Sequence, residues 1–183
     1  GAVNPYPKVG PIVINEIHYH PPEFVTDEAV VDNAQDEFIE LYNMTSQPVP
    51  LFDPLEYRYQ GDFYADGKTN TWRLRGEVDY EFPTNVTLAA NSRLLVVRFD
   101  PSNDAMVNYF TNLFGVPGYP ASVKIFGPYR GRLSNGGATV TLYRPDPPQG
   151  PPLHNDERGF VPYTYVDSIE YTGLSIEAGR VTV

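Results

Sequence analysis

Short apolar runs separated by turn-forming residues recur along the chain. Nineteen prolines and fifteen glycines are spread over its length, which favours strands joined by turns over helices. Six runs have the length of β-strands, and they cover residues 12–19, 36–43, 71–74, 92–99, 138–144 and 163–171. The pattern predicts an all-β domain.

The alternation inside these runs predicts which side chains face the core. In the second run, Ile39 and Leu41 share one face while Glu40 lies on the other, which is the period of a half-buried strand. The fifth run repeats this period, with Val140 and Leu142 inward. The fourth run contains LLVV and is apolar on both faces, so it is predicted as a central strand that is covered on both sides.

One segment has helical spacing instead. Residues 103–114 follow Ser102, a suitable N-cap, and precede Gly115, a suitable stop. We expect a short helix that crosses between two strands. The side chains predicted to form its apolar face are Met106, Tyr109, Phe110 and Leu113.

Three long loops interrupt the strands. Residues 21–35 are acidic, residues 54–70 are rich in tyrosine, and residues 145–159 are too rich in proline and glycine for a strand ladder. Because long loops on a rigid scaffold usually contain the contacts of a binding module, these loops are the first places to look for function.

Charge and cysteine content exclude several classes of protein. The chain has 183 residues, and 13 Lys and Arg against 23 Asp and Glu give a formal net charge of −10. A phosphate backbone would be repelled by such a surface, so nucleic acid is not an expected partner. The absence of cysteine excludes disulfides, thiolate metal sites and thiol catalysis.

The chain has the features of one domain taken from a longer polypeptide. No run of 18 apolar residues is present, and the first ten residues lack the apolar stretch of a signal peptide. We expect residues 1–11 to be a linker or N-terminal extension, and residues 12–183 to form a single domain without a membrane span. Other domains of the same polypeptide are expected neighbours.

Seven segments follow one another in a distinctive order. They are INEI at 14–17, FIELYN at 38–43, VPL at 49–51, WRLRGEVDYEFP at 72–83, LLVV at 94–97, FGPYRGRLSNGGATVTL at 126–142 and VDSIEY at 166–171. This order resembles the lamin tail domain family in its bacterial form. The resemblance implies an immunoglobulin-like β-sandwich with one short helix and long loop insertions, used as an attachment or interaction module in secreted or cell-surface proteins.

Some residues in these segments have expected structural roles. The resemblance implies that Trp72, the only tryptophan, lies between the sheets. Gly76 suits a hairpin, Phe82 with the proline after it ends a strand, and Asn135 with Gly136 can adopt positive φ in a turn. The chain departs from the family in its three insertions and in its ending, which lacks a tryptophan-proline segment and leaves the final strand open.

The acidic residues of the first loop are candidate calcium ligands. Segment 27–37 offers carboxylate and amide oxygens of the kind that calcium prefers, without the spacing of an EF-hand. The alternative is an ordinary solvated loop. The predicted ligands are Asp27, Asp32, Asp36 and Glu37, with Glu28 and Asn33 nearby.

Two further constellations are weaker. His18 and His20 are two residues apart on a strand, so both rings could begin a zinc site with Glu16. Glu16, Glu37 and Glu40 lie on strands expected to be neighbours and could act as paired carboxylates of a glycosidase. The alternatives are ordinary strand histidines and a Glu40 that faces solvent or pairs with an arginine. No known catalytic motif is present, and we predict that the chain is not an enzyme.

Aromatic residues in the second loop are candidate ligand contacts. Tyr and Phe at exposed positions stack on sugar rings or anchor protein interfaces. The alternative is a small cluster that seals one end of the sandwich. The residues are Tyr57, Tyr59, Phe63 and Tyr64.

Together these features predict a non-catalytic interaction, adhesion or scaffold module of a larger bacterial secreted or surface protein. Its expected partner is a protein or a cell-envelope polymer. The alternative is a carbohydrate-binding module supported by calcium, and apart from calcium no cofactor is expected. Asn43 and Asn85 begin glycosylation patterns, which have little weight in a bacterial protein.

Overall fold

A computed structural model describes residues 10–53, 55, 58–59, 62–63, 70–116, 123–149, 160–173 and 179–182. Within these residues the chain forms one helix, α1 (Asp104–Phe114), and a 3-10 turn at Ala34–Asp36. The strands are β1 (Ile12–His20), β2 (Phe24–Val25), β3 (Val30–Val31), β4 (Phe38–Asn43), β5 (Val49–Pro50), β6 (Arg58–Tyr59), β7 (Asp62–Phe63), β8 (Arg73–Gly76), β9 (Val78–Glu81), β10 (Thr87–Leu88), β11 (Arg93–Val97), β12 (Val123–Phe126), β13 (Arg130–Gly131), β14 (Gly137–Pro145), β15 (Tyr163–Thr172) and β16 (Gly179–Thr182).

Two five-stranded sheets form the body of the domain. The first sheet has the order β12-β11-β4-β1-β16, and the second has the order β13-β9-β8-β14-β15. Three small two-stranded ladders, β2-β3, β5-β10 and β6-β7, lie outside them. The predicted all-β sandwich is confirmed. The predicted division into residues 1–11 and 12–183 stays a prediction.

The main core lies between the two sheets. Ile39 and Leu41 of β4 are fully buried and belong to the same apolar cluster as Val140 and Leu142 of β14. Their neighbours on each strand are more exposed, as the alternation in the sequence predicts. Trp72 is 5% exposed and lies in this cluster. The inward faces of both sheets therefore share one hydrophobic core.

A second apolar layer covers the outer face of the first sheet. On β11, Leu94 and Val96 point into the main core, whereas Leu95 and Val97 pack with Val107 and Phe110 of α1. The prediction that this strand is covered on both sides is confirmed. The helix joins β11 to β12, which are parallel neighbours in the first sheet. It thus crosses between two strands, as expected.

The start and the buried face of α1 differ from the prediction. Asn103, not Ser102, caps the helix, and its Oδ1 accepts hydrogen bonds from the backbone of Ala105 and Met106 at 3.1 and 3.3 Å. Val107 and Phe110 are buried, whereas Leu113 is 53% exposed. The segment is apolar around much of its circumference, so the sheet below it decides which stripe is covered. Gly115 ends the helix at φ 57, as predicted.

Glycines set the turns of the second sheet. Gly76 has φ 110, and a Cβ there would lie 2.2 Å from the carbonyl oxygen of Thr139, so only glycine fits the predicted hairpin. In the turn before β14, positive φ occurs at Gly137, with φ 109, and not at Asn135 or Gly136. Positive φ was predicted at Asn135 and Gly136, and it occurs one residue later. Gly137, the first residue of β14, adopts it.

Backbone hydrogen bonds hold the first residues of the proline-rich segment. β14 continues to Pro145, and the backbone N–H groups of Asp146 and Gln149 donate to the carbonyls of Pro162 and Phe160 at 2.8 Å. The expected loop therefore begins one residue later than predicted, after Pro145, and two backbone hydrogen bonds hold its first residues. Residues 150–159 lie outside the described part.

The final strand, which the sequence left open, joins the first sheet. β16 pairs antiparallel with β1, with Ile17 opposite Val181. Among the described residues, no helix is long and apolar enough to cross a membrane.

Asn43, at the end of β4, is expected to contribute about 2 kcal/mol to the free energy of unfolding. Its side chain is fully buried, and Nδ2 donates to the carbonyls of Gln47, Leu88 and Ala89 at 2.8, 3.1 and 2.9 Å. Asn43→Ala leaves these acceptors unpaired, a loss of about 2 kcal/mol. Urea denaturation should show this loss for Asn43→Ala and none for the exposed control Asn108→Ala. Equal stability of the two variants would contradict the burial of Asn43.

Candidate functional site

The acidic first loop is a projecting hairpin, which we call the arm, residues 22–31. β2 and β3 form its two strands, with Phe24 opposite Val31 and Val25 opposite Val30. The following residues, 32–37, join the arm to β4 and are called the base. The arm and the base differ in burial and in chemistry.

The turn of the arm is organised by one threonine. The backbone N–H of Thr26 donates to the carbonyl of Ala29 at 2.9 Å, and the Thr26 hydroxyl donates to the same carbonyl at 3.0 Å. The Ala29 N–H in turn donates to Thr26 Oγ1 at 3.0 Å. Asp27 and Glu28 occupy the exposed tip. This bonding fixes a turn that two-residue strands alone would hold weakly.

The walls of the arm are apolar and exposed to solvent. Val25 and Val30, which face each other across the ladder, are 79% and 61% exposed. Phe24 and Val31 form the other cross-strand pair and are 43% and 48% exposed. Four large apolar side chains on one small projecting element are unusual for a surface that contacts only water.

The base is held by polar side chains of other elements. Asp32 accepts from Arg132 at 3.2 Å and from Asn135 Nδ2 at 2.9 Å, two residues of the turn before β14. The Asn33 amide donates to the carbonyl of Pro22 at 3.1 Å and to Asp36 Oδ2 at 2.7 Å. The bond from Asn33 to Pro22 joins the base to the first residue of the arm. The bonds of Asp32 join the base to the second sheet.

The helix also holds the base. The Tyr109 hydroxyl donates to Asp36 Oδ2 at 3.0 Å, and Gln35 Nε2 lies 3.0 Å from Met106 Sδ. This hydrogen bond gives a reason for the exposed position of Tyr109 on α1, which the sequence placed on the apolar face. The base is thus fixed on two sides, by α1 and by the second sheet.

Glu37 is the innermost residue of the base. It is fully buried, and its Oε2 accepts from the Tyr129 hydroxyl at 2.7 Å and from the Leu133 N–H at 2.8 Å. Burial raises the pKa of Glu37 to about 7, against the opposing effect of these two hydrogen bonds and of the Arg98 charge. Oε1 has no hydrogen-bond partner among the described residues. This carboxyl therefore titrates near neutral pH.

The four predicted calcium ligands are not brought together. Asp27 lies at the exposed tip, Asp32 bonds to the turn before β14, Asp36 bonds to α1, and Glu37 is inside. Within the described residues, no group of three or more His, Asp or Glu side chains could hold a metal ion. The arrangement uses the oxygens of Asp32, Asp36 and Glu37 as acceptors for protein donors.

The two strand histidines have different surroundings. His18 is buried and stacks on Phe38 at 5.1 Å, with Phe114 edge-on at 5.2 Å. His20 is half-buried, with Nε2 at 3.9 Å from Glu23 Oε1. The register between β1 and β16 shifts between these two histidines. They therefore do not share the regular strand face that the zinc hypothesis assumed.

Of the three carboxylates considered for glycoside hydrolysis, Glu16 and Glu40 are cross-strand neighbours and Glu37 lies elsewhere. Glu40 Oε1 lies 3.1 Å from Arg93 Nε and accepts from Asn15 Nδ2 at 2.6 Å, which matches the expected pairing with an arginine. Glu16 is buried on β1, opposite Glu40 in the ladder, whereas Glu37 bonds to residues near the second sheet.

The predicted aromatic contacts remain untested. Tyr57 and Tyr64 lie outside the described residues, and Tyr59 and Phe63 lie on the small β6-β7 hairpin, of which the backbone pairing is described. Phe82, which was predicted to have a structural role, is buried, and its ring packs edge-on against that of Tyr80 with 5.1 Å between the ring centroids.

Sequence reasoning missed the apolar walls of the arm. The signal was present in FVTDEAVV, because two apolar pairs flank four residues that suit a turn. The acidic residues around this segment hid the hairpin, and the loop was classified by its charge alone.

No known protein family matches the chain, and no curated protein matches it.

Proposed function

We propose that this chain is a non-catalytic interaction module of a larger secreted or cell-surface protein, and that the arm is its contact element. The exposure of Phe24, Val25, Val30 and Val31 on a hydrogen-bonded hairpin is the observation that supports this most directly. Exposed apolar clusters of this kind mark surfaces that become buried on association.

The anchoring of the base supports a binding role. Asp32 bonds to Asn135, 103 positions further along the chain, and Glu37 bonds to Leu133, 96 positions further. A segment held in this way loses little conformational entropy when a partner binds, so more of the contact energy becomes affinity. The fold thus presents a pre-organised apolar element rather than a flexible loop.

The lamin-tail resemblance supports the same class of function. Seven segments from residue 14 to residue 171 occur in the family's order, and the two-sheet architecture is compatible with the immunoglobulin-like type. The resemblance implies an interaction or attachment module within a larger protein. Its partner would be another protein or an envelope polymer.

Replacing the two most exposed valines tests this proposal. Val25→Ser/Val30→Ser should weaken binding of a purified partner at least about tenfold, because two buried apolar contacts are lost. The melting temperature of this double variant should stay within about 2 °C of that of the wild type, since neither valine side chain is in the core. Partners are recovered from the secreted and envelope fractions of the source cells, purified, and measured by calorimetry.

Leu113→Ser is the matched control, since Leu113 is an exposed apolar residue on α1 and is not part of the arm. It should bind the partner like the wild type. If the arm variant and this control bind equally well, the contact surface lies elsewhere. A large fall in the melting temperature of the arm variant would show that the valines are structural.

A further inference from the structure

We infer that the arm binds a cationic apolar protein surface, in which Lys or Arg side chains border an apolar groove. This inference rests on the proposed function and specifies the partner of the same site. It follows from the distribution of charge around the exposed valines.

The arm and the base contain acidic residues and no basic residue of their own, and Arg132 pairs with Asp32 of the base. Residues 21–37 contain no Lys, Arg or His, and their acidic residues are Glu23, Asp27, Glu28, Asp32, Asp36 and Glu37. The structure divides this set in two. Asp32, Asp36 and Glu37 are used inside the base, whereas Glu23, Asp27 and Glu28 are exposed beside the apolar walls.

The geometry places charge and apolar surface on one element. Asp27 and Glu28 form the tip, and one residue separates them from Val25 on one side and from Val30 on the other. A partner that covers the valines must also approach these carboxylates. Removing carboxylates from water without opposite charges costs free energy, so the partner's own basic groups must lie around its groove.

Other occupants fit this surface less well. A second copy of the chain has the same acidic tip and the same net charge of −10, so the two copies would repel each other. Anionic lipid and nucleic acid would be repelled for the same reason. Zwitterionic lipid could receive the valines but offers no net positive charge to the tip.

Three synthetic peptides of equal length separate the two parts of the inference. The first alternates valine and lysine, the second alternates valine and glutamate, and the third alternates serine and lysine. Binding to the full chain is measured by fluorescence anisotropy at about 0.15 M salt, where distant charges are screened. We expect the valine-lysine peptide to bind at least about tenfold more tightly than either of the others.

Two variants of the chain show whether the arm is responsible. Val25→Ser/Val30→Ser should lower affinity for the valine-lysine peptide at least about tenfold. Asp27→Asn/Glu28→Gln should lower it several-fold and reduce its salt dependence. The matched controls are Leu113→Ser for exposed apolar surface and Glu77→Gln/Glu170→Gln for exposed charge, and both should bind like the wild type.

Specific outcomes would overturn the inference. Equal binding of the serine-lysine and valine-lysine peptides would indicate attraction by net charge alone. Valine-dependent binding to phosphatidylcholine vesicles would indicate a lipid surface, and valine-dependent dimers in sedimentation would indicate a second copy. If a purified partner requires Val25 and Val30 but no lysine peptide does, the proposed function stands and the cationic partner is wrong. If neither requires them, both fail.

Discussion

Raising the pH from about 5 to about 8 should lower the free energy of unfolding of the wild-type chain by about 3 kcal/mol relative to Glu37→Gln. The pKa of Glu37 is about 7 in the folded protein and near 4.5 in an unfolded chain. The folded state therefore holds this proton more tightly. Its contribution to stability is complete below pH 4.5 and is lost as the pH rises to about 7 and beyond.

The magnitude follows from the size of the shift. A change of one pKa unit corresponds to about 1.4 kcal/mol, so a rise from 4.5 to about 7 corresponds to about 3 kcal/mol. The cause is burial without an opposite charge in direct contact. The Tyr129 hydroxyl and the Leu133 N–H stabilise the ionised form, but they do not replace the water that the carboxylate loses.

Glutamine at position 37 is the matched control because it keeps the shape and stays neutral at every pH. Its Oε1 can accept from Tyr129 and Leu133 as the carboxyl does. Urea denaturation of both proteins at several pH values isolates Glu37 from the other titrating groups. If the difference between the two proteins does not change with pH, Glu37 is ionised at neutral pH and the explanation based on burial is wrong.

Much of the fold could be predicted because strand patterns are local. The alternation in Phe38–Asn43 and Gly137–Pro145 depends on which side chains face one core, and the sequence contains that information directly. The doubly apolar Arg93–Val97 likewise indicated cover on both faces. The pairing of strands that are distant in sequence, such as β16 with β1, cannot be predicted from any short segment.

The errors occur where two neighbouring residues could each perform the same role. Ser102 and Asn103 are both good N-caps, and the backbone direction at the end of the preceding turn selects Asn103. Leu113 is three residues from Phe110 and four from Tyr109, which are helical spacings, but the outer face of the first sheet covers Val107 and Phe110 instead. In both cases tertiary packing decides between options that the local sequence leaves equal.

The candidate site was predictable in position and not in chemistry. Residues 21–35 were expected to contain contacts, and the arm lies there. A calcium site was expected because carboxylates are close in sequence, but their partners are Arg132, Asn135, Tyr129 and Tyr109 from later segments. Those partners lie between 73 and 103 positions away, so the sequence around the acidic residues could not reveal them.

The base and the arm have complementary energetic roles. The carboxyl groups of the base accept hydrogen bonds from other elements, which helps to fix its conformation. The apolar side chains of the arm are exposed to water. Substitutions in the base should therefore change stability, whereas substitutions in the arm should change binding, and the two effects can be measured separately.

Trp72→Ala should be the most destabilising substitution among those considered, with a loss of about 3 to 5 kcal/mol. The indole is 5% exposed and lies in the core between the sheets. The backbone around it connects two ladders, since its N–H donates to the Leu51 carbonyl and its carbonyl accepts from Phe82, both at 3.0 Å. Alanine would leave a cavity that rigid strands cannot close.

Thermal unfolding measures this loss, and a fall of about 10 °C in the melting temperature is expected for a chain of this size. Trp72→Phe refills part of the volume and should recover more than half of the loss. Tyr165→Ala removes an aromatic ring that is mostly exposed, and it should change the melting temperature by less than about 2 °C. A Trp72→Ala protein that melts like the wild type would show that the core does not depend on this ring. That outcome would also remove one of the residues on which the lamin-tail resemblance rests.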